Sequence, residues 1–63
     1  MDAQLKPVSK DEFFKRIGGL DVHPSFVNDR YPYTSEWRIR QSRTLVGQSV
    51  GHTDGSHDYF LVA

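Results

Sequence analysis

Apolar positions along the chain change their period part-way. Residues 1–8 (MDAQLKPV) are mostly polar and contain Pro7, which reads as an extended lead-in. Phe13, Phe14 and Ile17 then fall three and four positions apart, the spacing of one helix face. The start of that helix is marked by Ser9 followed by Glu12, a capping box in which side-chain oxygens occupy amides the first turn leaves free. Val8 and Phe13 stand at the two positions that clasp in a hydrophobic staple. Asp11 and Glu12 in the first turn and Lys15 and Arg16 in the last suit the helix dipole. Gly18-Gly19 is a suitable left-handed exit. The pattern predicts a helix over Lys10–Ile17, capped within residues 9–19, with Leu20 folding back beneath it.

Residues 20–33 (LDVHPSFVNDRYPY) hold Pro24, Pro32 and the Asn28-Asp29 pair, and read as an irregular connection anchored by Phe26 and Val27. From Thr34 the period becomes two: Trp37 and Ile39 alternate with Glu36, Arg38 and Arg40, the signature of a half-buried strand. A turn near 41–43 leads to a second strand, Thr44–Val50. Asp54-Gly55 marks the next turn, and Asp58–Val62 forms a third strand. Short connections make these three an antiparallel meander over 34–62. The expected fold is α+β: one short N-terminal helix packed on a three-stranded β-meander, a single domain over residues 1–63. Phe13, Phe14, Ile17, Trp37 and Ile39 are expected in the core, joined by Val46, Val50 and one face of Tyr59–Val62. Gly47 and Gly51 mark a bulge or the close approach of a side chain such as Trp37.

Tyr59, Phe60, Leu61 and Val62 are apolar at every position, not every second one. Such a strand wants cover on both faces. One short helix supplies one cover; the other must come from the 20–33 segment or from another chain.

Size sharpens that choice. Sixty-three residues make one domain near the lower limit for a self-sufficient core. The chain has no cysteine, so disulfides and cysteine-bound zinc are excluded as reinforcement. Association with a partner or a second copy is the remaining device. No stretch has the length and hydrophobicity of a membrane span, and the N-terminus lacks a signal-peptide core. With Met1 present, the chain is expected to be a small cytoplasmic product, although a fragment of something larger would read the same way.

Eight basic and eight acidic residues give zero net charge, against the basic excess usual in nucleic-acid binders. The distribution is uneven: Arg30, Arg38, Arg40 and Arg43 meet only Glu36 over residues 30–43, while Asp54 and Asp58 make the last twelve positions acidic. Arg38 and Arg40 project from one strand face at phosphate-contact spacing, and a neighbouring ring on the last strand could stack a base. A solvated face of alternating charge has the same pattern. Tyr31-Pro32-Tyr33 carries polar-tipped rings on a stiff backbone, suited either to the core edge or to exposed contact. Arg30, Tyr31, Tyr33, Arg38, Arg40 and Arg43 are therefore the candidate binding residues. His52, Asp54 and His57 bring two imidazoles and a carboxylate to one turn, with His52 and His57 as its closing cross-strand pair. Their spacing matches no metal-ligand motif, and a polar turn is the reading taken, with no metal and no cofactor. No nucleophile stands with a positioned base, so no enzyme is expected. The preferred function is a non-catalytic interaction module, accessory or regulatory, that binds another protein or itself. A nucleic-acid-binding module using the arginine stripe is the alternative.

Overall fold

The computed structural model describes residues 4–63 and is α+β, with one helix and a five-stranded antiparallel sheet. In chain order the elements are β1 (Leu5–Val8), α1 (Lys10–Ile17), β2 (Val22–Asn28), β3 (Tyr33–Ile39), β4 (Leu45–Gly51) and β5 (His57–Val62). The expected meander is present as β3-β4-β5. It is extended on both sides by two strands that sequence reading took as lead-in and connection, giving the order β1-β5-β4-β3-β2.

Both additions have a physical reason. β1 lies along β5, with Leu5 opposite Val62 and Val8 opposite Tyr59. β2 lies along β3, with Val22 opposite Ile39 and Phe26 opposite Ser35. In an antiparallel ladder, alternate residues turn their backbone groups toward the neighbour or away from it. The Ala63 amide donates to the Gln4 carbonyl at 2.9 Å, and the Arg40 amide to the Asp21 carbonyl at 3.0 Å. Counting from those bonds, Pro7 and Pro24 both stand at positions whose amide would point outward. Proline lacks that amide and loses no ladder bond there.

Helix α1 begins as expected: the Glu12 amide donates to Ser9 Oγ at 3.1 Å. Its end differs from expectation. Gly18 is right-handed (φ −63°), its amide donates to the Phe14 carbonyl, and the Leu20 amide donates to the Ile17 carbonyl, so the chain leaves through a tightening turn. Left-handed backbone occurs, among the described residues, at Arg43 (φ 59°) and Gly55 (φ 88°), both in turns between strands.

The helix joins strands at opposite edges of the sheet. Four inter-strand steps of about 4.8 Å span about 19 Å, whereas eight helical residues cover about 12 Å. The helix therefore covers the middle of one face, and residues 18–21 complete the crossing. Its buried side is Phe13 and Ile17, the two buried apolar side chains among the described residues. The Phe13 ring lies 5.6 Å from Trp37 and 5.0 Å from Tyr59. Phe14, expected in the core, and Leu20, expected to fold back beneath the helix, are 42% and 40% exposed; the Phe14 ring meets Trp37 and Tyr59 edge-on at 6.4 and 5.5 Å from the margin of the core.

Gly47 explains how the helix seats. It faces Trp37 on β3 and Leu61 on β5, and a Cβ there would stand 2.9 Å from the Phe13 ring. The close approach expected at this glycine exists, made by Phe13 instead of Trp37. With Gly47 toward the helix, alternation turns Val46 and Val50 to the opposite face. They are not core partners of Trp37, which was the expectation.

Candidate functional site

The sheet has one covered face and one open face. Trp37, Ser49, Tyr59 and Leu61 lie on the helix side, where Trp37 Nε1 donates to Ser49 Oγ at 3.0 Å. On the open side the registers align Leu5 and Pro7 of β1, Asp58, Phe60 and Val62 of β5, and Gln48 and Val50 of β4; Val46, next to Gly47, is the extra residue of a bulge in β4, where the register passes from Gly47 to Leu45. Beyond them come Thr34, Glu36 and Arg38 of β3, then His23 and Ser25 of β2. The open face is thus divided: aliphatic and aromatic over three strands, polar over the other two. Of the apolar side chains named, Leu5, Val46, Val50, Phe60 and Val62 are only half-buried. The 20–33 segment does not cross this face; as β2 it widens the sheet instead.

The charged half is neutralised within the chain. Arg38 Nη2 is 3.2 Å from Glu36 Oε1, and Arg38 Nη1 donates to the Arg43 carbonyl at 2.9 Å. That carbonyl is presented by Arg43's left-handed backbone. Arg40 lies just past the end of β3, and its Nε is 3.1 Å from Asp21 Oδ1. Arg38, Arg40 and Arg43 do line one shallow depression with His23, Ser25 and Ile39. Two of its three guanidinium groups already face carboxylates.

The other candidate residues lie at the far end of the β2–β3 pair. The Arg30 amide donates to Asn28 Oδ1 at 3.3 Å in the connecting loop. Tyr31 and Tyr33 pack with ring centroids 4.2 Å apart, and Tyr33 meets Phe26 edge-on at 6.3 Å. At this corner the short helix gives no cover, and Phe26 and Tyr31 are 73% and 56% exposed. The six candidate residues therefore form two separate groups.

The turn after β4 is closed one residue away from the expected place. The His52 amide donates to the Ser56 carbonyl at 2.9 Å, and His57 pairs with Gly51. The two imidazoles consequently project from opposite faces. His52 Nε2 is 2.8 Å from Asp58 Oδ2 on the open side, while His57 stacks on Tyr59 at 6.2 Å on the helix side. Asp54 is occupied inside the turn: Ser56 donates to its Oδ1 from the hydroxyl at 2.6 Å and from the amide at 2.9 Å. Those two bonds, the hydroxyl's first, hold the Asp54 carboxyl below its usual pKa, with a small contribution from His52. Among the described residues no three His, Asp or Glu side chains converge as a metal site.

The chain matches no protein-family model, no curated protein and no solved structure. Among the described residues, no helix is long and apolar enough to cross a membrane.

The residues that sequence reading missed as a surface are Leu5, Val46, Val50, Phe60 and Val62. Two signals pointed to them: the unbroken apolar run of β5, and Gly47 as the one position small enough to receive a helix ring. If the glycine faces the helix, its valine neighbours cannot.

Proposed function

We propose that the protein is a non-catalytic interaction module whose working surface is the open face of the sheet. The observation that supports this reading is the half-apolar face formed by Leu5, Val46, Val50, Phe60 and Val62, over which no element of the described residues passes. An apolar patch rimmed by polar residues has the anatomy of a protein interface. Glu36–Arg38 and His52–Asp58 provide that rim, each already paired. The alternative, nucleic acid held by Arg38, Arg40 and Arg43, has less support. Phosphate binding needs cations free to replace counterions, and Glu36 and Asp21 hold two of the three.

A thiol probe tests the reading. The chain has no cysteine, so Gln48→Cys places a unique thiol at the middle of the open face, and Thr53→Cys places one in the exposed turn. In the cells that make the protein, under reducing conditions, the thiol at position 48 is expected to alkylate at least about tenfold more slowly than that at 53, since a covered site reacts only on opening. Equal rates would mean that nothing covers the face, and the proposal would fail.

A further inference from the structure

Resting on that reading, we propose that the partner is a second copy of this chain, packed open face to open face about a two-fold axis. The edges of the sheet argue for the face as the route. Free strand edges normally recruit another strand through their outward amides. On β1 the outward positions are Leu5 and Pro7, and Pro7 has no amide. On β2 they are Val22, Pro24 and Phe26; Pro24 has no amide and the Val22 amide already donates to the Leu20 carbonyl at 3.1 Å. Past Phe26 the register shifts at a bulge. Each edge is left with one unobstructed outward amide, too few for an added strand.

The chemistry of the face argues for a second copy. A partner of strong charge would find little free counter-charge there: Arg38 is held by Glu36, and the Asp58 carboxylate is hydrogen-bonded to His52. A copy needs none. A two-fold axis lying between the sheets and crossing β4 and β5 at Gln48 and Phe60 sets those two on their own counterparts and Val46 against the Val50 of the other copy, and full overlap carries each Glu36–Arg38 pair, already closed within its chain, into the footprint. Gln48, between the two valines, carries the one side chain in that half that suits itself: a primary amide is donor and acceptor at once. The size is sufficient. Five strands at about 4.8 Å spacing and about 20 Å length offer a footprint of about 480 Å² per chain. The pair therefore buries about 1,000 Å² before side-chain relief is added, the threshold for a specific interface. Stacked at about 10 Å, the sheets form the centre of a helix–sheet–sheet–helix sandwich.

Sedimentation equilibrium of the purified chain from about 1 μM to about 1 mM protomer covers the dissociation constants expected of such an interface. The expected result is a reversible rise from 7.3 kDa to twice that mass. Gln48→Lys is the decisive variant. In the single chain the new ammonium stands opposite Glu36 across the β3–β4 ladder, so folding is kept, as Trp37 emission will report. In the pair, two ammonium groups meet at the centre, and the dissociation constant should rise at least about 100-fold, as like charges at an interface require. Lys15→Glu, on the exposed side of the helix, should leave the mass unchanged. A chain of 7.3 kDa at every concentration, or pairing indifferent to a folded Gln48→Lys, overturns the second-copy proposal. If the thiol at position 48 is nonetheless protected in cells, the interaction reading survives with a different partner; if it is not, both fall together.

Discussion

Replacing Gly47 by alanine tests how the helix is seated. An ideal Cβ at this position stands 2.5 Å from the Phe60 carbonyl oxygen, 2.9 Å from the Phe13 ring and 3.3 Å from the Leu61 side chain. The first neighbour is backbone in a paired strand and cannot swing aside. The second belongs to the only large side chain with no exposed surface among the described residues. Over-packing of this kind costs about 1–3 kcal/mol at a site able to adjust; with a backbone atom and the central ring both in the way, about 3 kcal/mol is the expected value. A stability of roughly 0.05–0.15 kcal/mol per residue puts the whole 63-residue domain at about 3–9 kcal/mol. Gly47→Ala should thus remove a third or more of it and lower Tm by about 12–24 °C, at about 4–8 °C per kcal/mol for a domain this small.

Two other glycines supply the controls. A Cβ at Gly51 meets only the His57 ring, at 3.2 Å, and that exposed side chain can rotate away; a cost below about 1 kcal/mol is expected for a small overlap that relaxes. Gly19 has nothing within 4 Å of such a carbon and is not left-handed, so alanine there should be neutral or stabilise by about 0.4–1 kcal/mol through the unfolded chain. Urea unfolding followed by emission of the single tryptophan reads all three, at one fixed protomer concentration so that association does not shift the midpoints. Every variant exchanges glycine for alanine, so the shared backbone entropy cancels in the comparison. Were Gly47→Ala to match Gly51→Ala within about 1 kcal/mol, helix docking into the β4 gap would be refuted as the centre of the core.

The remaining predictions concern charge. Arg38→Glu combined with Arg40→Glu replaces two partly exposed ion pairs, each worth about 0–1 kcal/mol, by like-charge contacts of similar size with Glu36 and Asp21, and should lower stability by no more than about 4 kcal/mol in thermal melts; Arg38 lies within the footprint of the pair, so self-association should weaken as well, and pairing unchanged in the folded variant would place these arginines outside the interface. Asp54 titrates lower when folded than when unfolded because Ser56 donates to its carboxylate. Its contribution is therefore complete above the unfolded value of about 3.9 and fades as pH falls through the lower folded value. Asp54→Asn should accordingly flatten the acid limb of Tm against pH below about 4 and leave its shape near neutrality unchanged; an unaltered acid limb would show that the Ser56 bonds are not kept in solution.

How much of this was legible in the sequence depended on how local each determinant is. The helix was readable because Ser9, Glu12 and Phe13 lie within five positions, and its start is where expected. β3 was readable because Trp37 and Arg38 alternate within one strand. β1 and β2 were not, because the feature that defines them lies elsewhere in the chain. Leu5–Val8 is four residues with a proline, and becomes a strand only when β5, more than fifty positions away, is beside it. In β2 the alternation of Val22, Pro24 and Phe26 with His23 and Ser25 was a usable signal, since proline is admissible in an edge strand. The arginine stripe was placed outward as expected, but whether an exposed arginine is free depends on neighbours in space. Asp21 reaches Arg40 only because β2 returns to the end of β3.

The same non-local logic ties the proline pair to the open face. A sheet with one helix on it has three surfaces through which it can hide apolar groups: two edges and a bare face. Proline at an outward edge position gives up no ladder bond, and what it does remove is an amide that a foreign strand would use. The bare face carries the opposite choice, since Val46, Val50, Phe60 and Val62 stay half-exposed on it. Were solubility of an isolated chain the governing requirement, edges and face would be guarded alike, with lysine or glutamate at those four positions. They are treated oppositely, edges closed and face left apolar. That is the arrangement expected of a sheet that associates by stacking and must not associate by strand addition, where open-ended growth replaces a closed pair.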